Sequence, residues 1–320
     1  MVMNEVLSST KFVMQNVKYV KINKGKIKEF TKHFNESHIN HWLNQSPFDL
    51  TKLNDKDRLH FLLVFNAISF SYWGNSKWTI EYNGEKFDGA FGMIVTLGKA
   101  LENGFPILDM KYLSNISEKD FEKIVNGNVR IPLFEERLEI LREVGKVVLE
   151  NFDGDFATLV KEANNGAIKL LGLIISNFPS FEDSYLYKGK RVYFYKRAQL
   201  LVSDIYQMFN NNGYGKLKNI NQITACADYK LPKVLRDLGI LEYNKELAEK
   251  IDKKTELYSG SEKEIEIRAC TIWANEIIKR ELKKRIPNIN SIHINDHLWL
   301  LGQAKSKKDK PYHLTRTTAY

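Results

Sequence analysis

Helical spacing dominates the hydrophobic pattern of this chain, with one clear interruption. Residues 21–35, KINKGKIKEFTKHFN, place apolar side chains at helical rather than alternating intervals. The first sixty residues read as short helices with polar joints. HFLLVFNAISFSYWG (60–74) is a buried apolar run rich in aromatics. KWTIEYNGEKFDG (77–89) then alternates and turns at Asn83-Gly84, the strongest short hairpin signal in the chain. Helical patterning returns from residue 92. Its clearest helix is FEERLEILREVGKVVLENF (134–152), with a stripe of Leu138, Ile140, Leu141, Val144, Val147 and Val148. ATLVKEANNGAIKLLGLIISNF (157–178) continues in the same style, broken at Asn164-Asn165-Gly166. Near the end, Ser261-x-x-Glu264 reads as a capping box opening a helix with a buried stripe of Ile267, Cys270, Ala274, Ile277 and Ile278. The tail, KSKKDKPYHLTRTTAY (305–320), reads as a loop followed by a terminal segment. No repeat, low-complexity stretch or linker interrupts the chain. The expectation is a mainly α fold with a small β-hairpin insertion, one helical domain over 1–320, divisible at most into lobes of about 1–100 and 101–320.

Two predicted helices hold the polar residues of interest. In FYKRAQLLVSD (194–204), Ala198, Leu201, Val202, Ile205 and Phe209 form an apolar face. Lys196, Ser203 and Gln207 share the opposite face, with Asp204 at its edge. The plain reading of that face is solvent. In TACADYKLPKVLRDLGIL (224–241), the stripe is Leu231, Val234, Leu235 and Leu238. Pro232 suits a first turn and Gly239 a C′ stop. Asp228 therefore falls at or just before a helix N-terminus, where free N–H groups and the macrodipole favour an ionised carboxylate. The plain reading is a capping Asp, worth about 1 kcal/mol.

Composition narrows the class. Hydrophobic residues are 43% and charged residues 27%, a globular balance. Aromatics reach 12%, which suits a large core and also a pocket that stacks flat rings. The net charge of +9 attracts anions, but lysine is spread along the chain, which argues against duplex binding and fits a solvated surface. The two cysteines, Cys226 and Cys270, form no CxxC, so they signal neither a zinc site nor a disulfide framework and fit a reducing compartment. No apolar run approaches membrane-spanning length, and the reading is a cytoplasmic protein. His293 and His297, and His38 and His41, have metal-like spacings without an evident third ligand, so no metal is expected. Walker A, GxGxxG and GxSxG motifs are missing from the sequence.

Taken together, several blocks carry a resemblance. FYKRAQLLVSDIY and ADYKLPKVLRDLG, with FNAISFSYWG, KWTIEYNGEKFDG, IPLFEERLEILREVG, FPSFEDSYLYKGKRV, EIEIRACTI, INDHLWLLG and HLTRTTAY, resemble the queuosine salvage proteins, the queuosine 5′-phosphate N-glycosylases, in family order from about residue 60 onward. The chain departs from the family's usual pattern at Asn66 and Ser69 (Asp and Asn there), at Ala225-Cys226 (Met-Phe), at Lys230 (Arg) and near His313 and Leu314.

The resemblance implies a fold related to the helix-hairpin-helix DNA glycosylases. It implies hydrolysis of queuosine 5′-monophosphate to free queuine and ribose 5-phosphate, for queuine salvage into tRNA. The implied partners are a small nucleotide substrate and the queuine product, with no cofactor, no membrane and no stable nucleic-acid complex. In such glycosylases a Lys and an Asp face the scissile bond across a hairpin of helices. Here Lys196 and Asp228, 32 residues apart, take those places. Breaking an N-glycosidic bond builds positive charge on the ribose, and a fixed carboxylate stabilises it, activates water or attacks C1′. Phe70 and Trp73 are candidates for stacking on the base, with core packing as the plain alternative. Asp296 is a candidate for a guanine-like edge, with a helix cap as its alternative; Trp299, with core packing as its equal alternative, and Tyr229 are further candidates. Lys230, Arg268, His313 and Arg316 are candidates for the 5′-phosphate. Arg268 has an alternative in an i, i+4 surface pair with Glu264, His313 and Arg316 in a solvated tail. Arg197 is expected to make a structural ion pair. The competing readings are a nucleic-acid base glycosylase and a non-catalytic queuine or nucleotide binder.

Overall fold

A computed structural model of the chain describes residues 2–304 and 309–320. Residues 305–308, the start of the predicted tail loop, lie outside the described residues. The fold is mainly α: among the described residues there are fourteen α-helices and three two-stranded antiparallel pairs.

The predicted hairpin is present. Thr79–Tyr82 pairs with Glu85–Asp88, and Asn83 and Gly84 both take positive φ, 50° and 81°. Two further pairs were not expected. Ser184–Tyr187 pairs with Lys190–Tyr193 around Lys188 and Gly189, and Val20–Ile22 pairs with Leu241–Tyr243 from far along the chain. The helix predicted over 134–152 runs Phe134–Asn151. The predicted break is made by Asn164 and Asn165 in left-handed conformation before the helix Ala167–Asn177. The capping box of the helix Glu262–Leu282 differs in one respect. Ser261 Oγ accepts from Glu264 N, but the Glu264 carboxylate accepts from Gly260 N, one residue before the expected partner.

Two hydrophobic clusters share the interior. The larger takes most of its residues from Trp42 to Ile223, on both sides of residue 100. The smaller joins Val20, Ile27 and Phe34 to residues between Ala225 and Leu298. The helix Glu262–Leu282 divides its apolar residues between them, Ile265, Ala269 and Ile272 to one, Ile267, Cys270, Ala274 and Ile278 to the other. It is therefore buried on more than the one predicted stripe. Arg268, Glu264 and Glu266 sit at 0% exposure within it.

Buried arginines fix the segment that leaves the helix Asp55–Ile68. Arg137 donates to the carbonyls of Ile68 and Phe70, and Arg197 to those of Ala67 and Ser180. Those of Ala67 and Ile68 are helix-end carbonyls that otherwise lack partners. The expected ion pair of Arg197 is thus replaced by carbonyl capping. Both guanidiniums also cover the Phe70 ring, at 4.2 Å and 5.2 Å from its centroid. The C-terminal segment docks on the same stretch: Ser71 N donates to Tyr320 O, and Ser71 Oγ to Thr317 O.

Candidate active site

A cavity opens at the seam of the two clusters. It offers about 820 Å³ of space free of atoms, part of it continuous with solvent. Lys196 and Leu200 reach it from the helix Lys196–Met208, and Asp228, Tyr229, Lys230 and Leu231 from the start of the helix Lys230–Asp237.

Local structure places both charged groups. Tyr195 takes a left-handed conformation, φ 50°, directly before Lys196, whose N–H donates to Asp183 Oδ2 at 2.9 Å. Lys196 is 6% exposed, so the polar face of its helix is not a solvent face; Ser203 and Asp204 are buried as well. Asp228 precedes the N-cap Tyr229. Its Oδ1 accepts from Lys230 N at 2.8 Å and Leu231 N at 3.0 Å. Among the described residues its Oδ2 accepts no hydrogen bond, which leaves that oxygen for the cavity. Burial pushes the Asp228 carboxyl above the ordinary range, against the pull of the Lys196 charge and the two N–H groups. Pro232 and Gly239 (φ 70°) stand where the pattern put them, in the first turn and at C′.

The walls differ in character. Phe65, Phe70 and Tyr72 come from the helix Asp55–Ile68 and the segment after it, with Trp42 and Trp299 beside them. At another part of the lining, Lys77 and Asp88 bracket the hairpin and pair at 2.7 Å. Lys230 lies near them, donates from Nζ to Gly302 O at 3.1 Å, and has its pKa lowered by burial and then by the Lys77 charge. Tyr229 and Tyr312 face each other with centroids 4.9 Å apart, and burial drives the Tyr229 hydroxyl well above its usual pKa.

Of the residues singled out in the sequence, Lys196, Asp228, Phe70, Tyr229, Lys230 and Trp299 line the cavity. Five others are placed elsewhere. Trp73 donates from Nε1 to Thr315 O, with the Arg316 guanidinium over its ring at 4.7 Å. Arg316 itself is half exposed and 3.8 Å from Glu256. Arg268 is fully buried, gripped by both oxygens of Asp183 at 2.8 and 2.6 Å, with the expected Glu264 partner 3.5 Å away as a buried rather than a surface pair. His313 is buried against the Tyr320 hydroxyl, and burial lowers its pKa to about 3. Asp296 is buried behind the lining, accepting from Gln207, Asn295 and the Trp42 backbone N–H. Trp42, Tyr72, Lys77, Asp88 and Tyr312 line the cavity without having been singled out. The hairpin prediction already brackets Lys77 and Asp88; Trp42 sits in an uninformative stretch of short helices.

Among the described residues no three His, Cys, Asp or Glu side chains gather as a metal site. His297 instead packs edge-on against His38 and Phe34. Nor is any described helix long and apolar enough to cross a membrane.

The cavity thus gathers one carboxylate just before a helix, a lysine at the start of another and several aromatic side chains. Residues 50–320 match the model of the queuosine salvage protein family, and the chain belongs to that family. It is 41% identical over 261 residues to the queuosine 5′-phosphate N-glycosylase/hydrolase of Sphaerobacter thermophilus, covering 82% of this chain and 81% of the relative. The mouse protein of the same name is 36% identical over 280 residues, 83% of each chain. That of Schizosaccharomyces pombe is 30% identical over 332 residues, covering 96% and 94%.

Proposed function

We infer that this protein hydrolyses queuosine 5′-monophosphate to queuine and ribose 5-phosphate, water being the second substrate. The observation that carries the reading is that Asp228, just before one helix, and Lys196, at the start of another, line the same cavity. The relatives' name supplies the substrate.

The bond to the base breaks with positive charge growing on the ribose. Asp228 is held in place before the reaction by two backbone N–H groups on one oxygen, so its other oxygen meets the ribose or its attacking water without reorganisation. The Lys196 charge favours the ionised form of Asp228. Phe70 and Tyr72 offer faces to the base. Lys77 and Lys230 supply positive charge for the 5′-phosphate, which would also relieve their mutual repulsion. In this reading the helices Lys196–Met208 and Lys230–Asp237 correspond to the paired helices of helix-hairpin-helix glycosylases.

The substrate is a free nucleotide rather than a nucleic acid, and no cofactor takes part. The two free, buried cysteines support a reducing, cytoplasmic setting. Released queuine is then available for insertion into tRNA. Incubation of the protein with queuosine 5′-monophosphate, followed by mass-resolved chromatography, tests the reading. Free queuine and ribose 5-phosphate in equal amounts are expected. An unchanged nucleotide that still protects the fold against heat would make this a binding protein instead.

A further inference from the structure

Part of the cavity wall is a box of packed aromatic rings. Trp42, Phe65 and Trp299 line it. The Trp42 centroid lies 5.0 Å from that of Trp299 and 5.7 Å from that of Phe65, and Phe91 closes the outside, 6.0 Å from Trp42 and 5.2 Å from Trp299.

Behind the box are two carboxylates at 0% exposure, Asp204 and Asp296. Neutral donors supply their hydrogen bonds. Asp204 accepts from Trp42 Nε1 at 2.8 Å and Asn66 Nδ2 at 3.0 Å. Asp296 accepts from Gln207 Nε2 at 2.9 Å, Asn295 Nδ2 at 3.1 Å and Trp42 N at 3.3 Å. Among the described residues neither has a lysine or arginine within salt-bridge distance, and the nearest ionisable partner is His41, whose Nε2 is 3.5 Å from Asp204 Oδ1. Buried carboxylates are ordinarily matched by a cation. Here burial and the Asp204 charge push Asp296 up to about 6, while His41 opposes them. The two aspartates thus have no lysine or arginine partner of their own among the described residues, and the rings of Trp42, Phe65 and Trp299 stand between them and the cavity that Lys196 also lines.

The aromatic face is suited to a cation. Indole is the best of the aromatic rings for this contact. The Trp42 indole N–H is bonded to a carboxylate, which raises the electron density of its face. The helix Lys196–Met208 sets the position. Lys196, Leu200 and Asp204 follow at four-residue steps on one face, and Lys196 and Leu200 line the cavity. Eight residues of helix rise about 12 Å, so Asp204 stands about that far along the helix from Lys196.

Queuine is a 7-deazaguanine that carries a secondary alkylamine on its side chain, cationic near neutral pH. We propose that the box of Trp42, Phe65 and Trp299 receives this ammonium group, with Trp42 providing the face and Asp204 and Asp296 the counter-charge. The assignment rests on the substrate proposed above and extends it to specificity: the side chain, not only the ring, is read. It also gives both aspartates a part without direct contact with the base, since both are buried and neither is among the residues that line the cavity.

The test is calorimetric binding of queuine and of 7-deazaguanine, the same ring without the amine, to wild type, Trp42→Phe and Asp204→Asn, with turnover of queuosine 5′-monophosphate followed in parallel. Wild type is expected to prefer queuine by about tenfold or more, and each variant to lose about tenfold for queuine while staying within about twofold for 7-deazaguanine, the scale of a partly desolvated cation–π contact. Equal losses for both ligands, or undiminished queuine binding in both variants, would overturn the proposal. Should Asp204→Asn not fold, Trp42→Phe, which keeps an aromatic ring in place, decides alone. Turnover without discrimination removes the box and leaves the reaction; discrimination without turnover does the reverse.

Discussion

At the scale of single residues, burial rather than sequence spacing decides what each carboxylate does. Asp228 and Asp296 are both pushed up by desolvation, yet only Asp228 has an oxygen facing the cavity. Asp296 makes its effect felt in stability. Its folded-state pKa of about 6 lies above the ordinary 3.8, so its contribution is fully present below 3.8 and is lost as pH rises through 6. The groups facing it are His41, Asp204, Gln207 and Asn295. Asp296→Asn cannot titrate there. Chemical unfolding at pH 4 and at pH 7 is therefore expected to show wild type losing about 2 kcal/mol relative to the variant between the two, most of the free-energy equivalent of the gap between the folded and ordinary pKa values. A difference that does not change with pH would show that Asp296 is not strained in this way. The sequence made Asp228 legible because Pro232 and Gly239 fix the helix that follows it. Phe70 and Trp73 were harder to tell apart. The chain leaves its helix in extended form with Ser71 at φ 35°, which turns Phe70 and Tyr72 to the cavity and Trp73 towards Thr315 and Arg316. Spacing along an apolar run carries no sign of that turn.

At the scale of elements, the long periodic helices and the Asn-Gly hairpin were readable because each is a local signal. The hairpin around Lys188-Gly189 was not, since a lysine at the first turn position lacks the preference that Asn or Asp gives. The pair of Val20–Ile22 with Leu241–Tyr243 has three residues a side and depends on contact across the whole chain. The helix Phe134–Asn151 packs tightly on the short helix Met110–Ser114. A Cβ at Gly145 would lie 2.3 Å from Ser114 N and 2.7 Å from Leu113 C. Those atoms are backbone and cannot swing aside. Gly145→Ala is therefore expected to destabilise the protein by about 1–3 kcal/mol, read as a lowered midpoint in denaturant. An unchanged or raised midpoint would mean that the two helices separate at little cost and do not brace the wall around Phe70.

At the scale of the whole molecule, a cavity at the seam of two hydrophobic clusters collects side chains that lie far apart in sequence. Trp42, Lys77, Asp228, Trp299 and Tyr312 meet there. That meeting is why composition and periodicity alone did not yield the full lining, and why the block resemblance reached only part of it. The +9 charge draws in anions generally, while the cavity sets Lys77, Lys230 and Lys196 against Asp88 and Asp228 at close quarters. The proposed reaction turns on Asp228 as the group that breaks the bond. The most direct measurement is the pH dependence of queuine release from queuosine 5′-monophosphate by wild type, beside Asp228→Asn with a matching circular dichroism spectrum. Release by wild type should fall off in acid at a pH above the ordinary aspartate range, because Asp228 must be ionised and burial raises its pKa. The folded variant should lose about a thousandfold in kcat/KM, the scale seen when a preorganised charge-stabilising group is removed. Turnover by Asp228→Asn within about tenfold of wild type, with the same acid limb, would contradict that role.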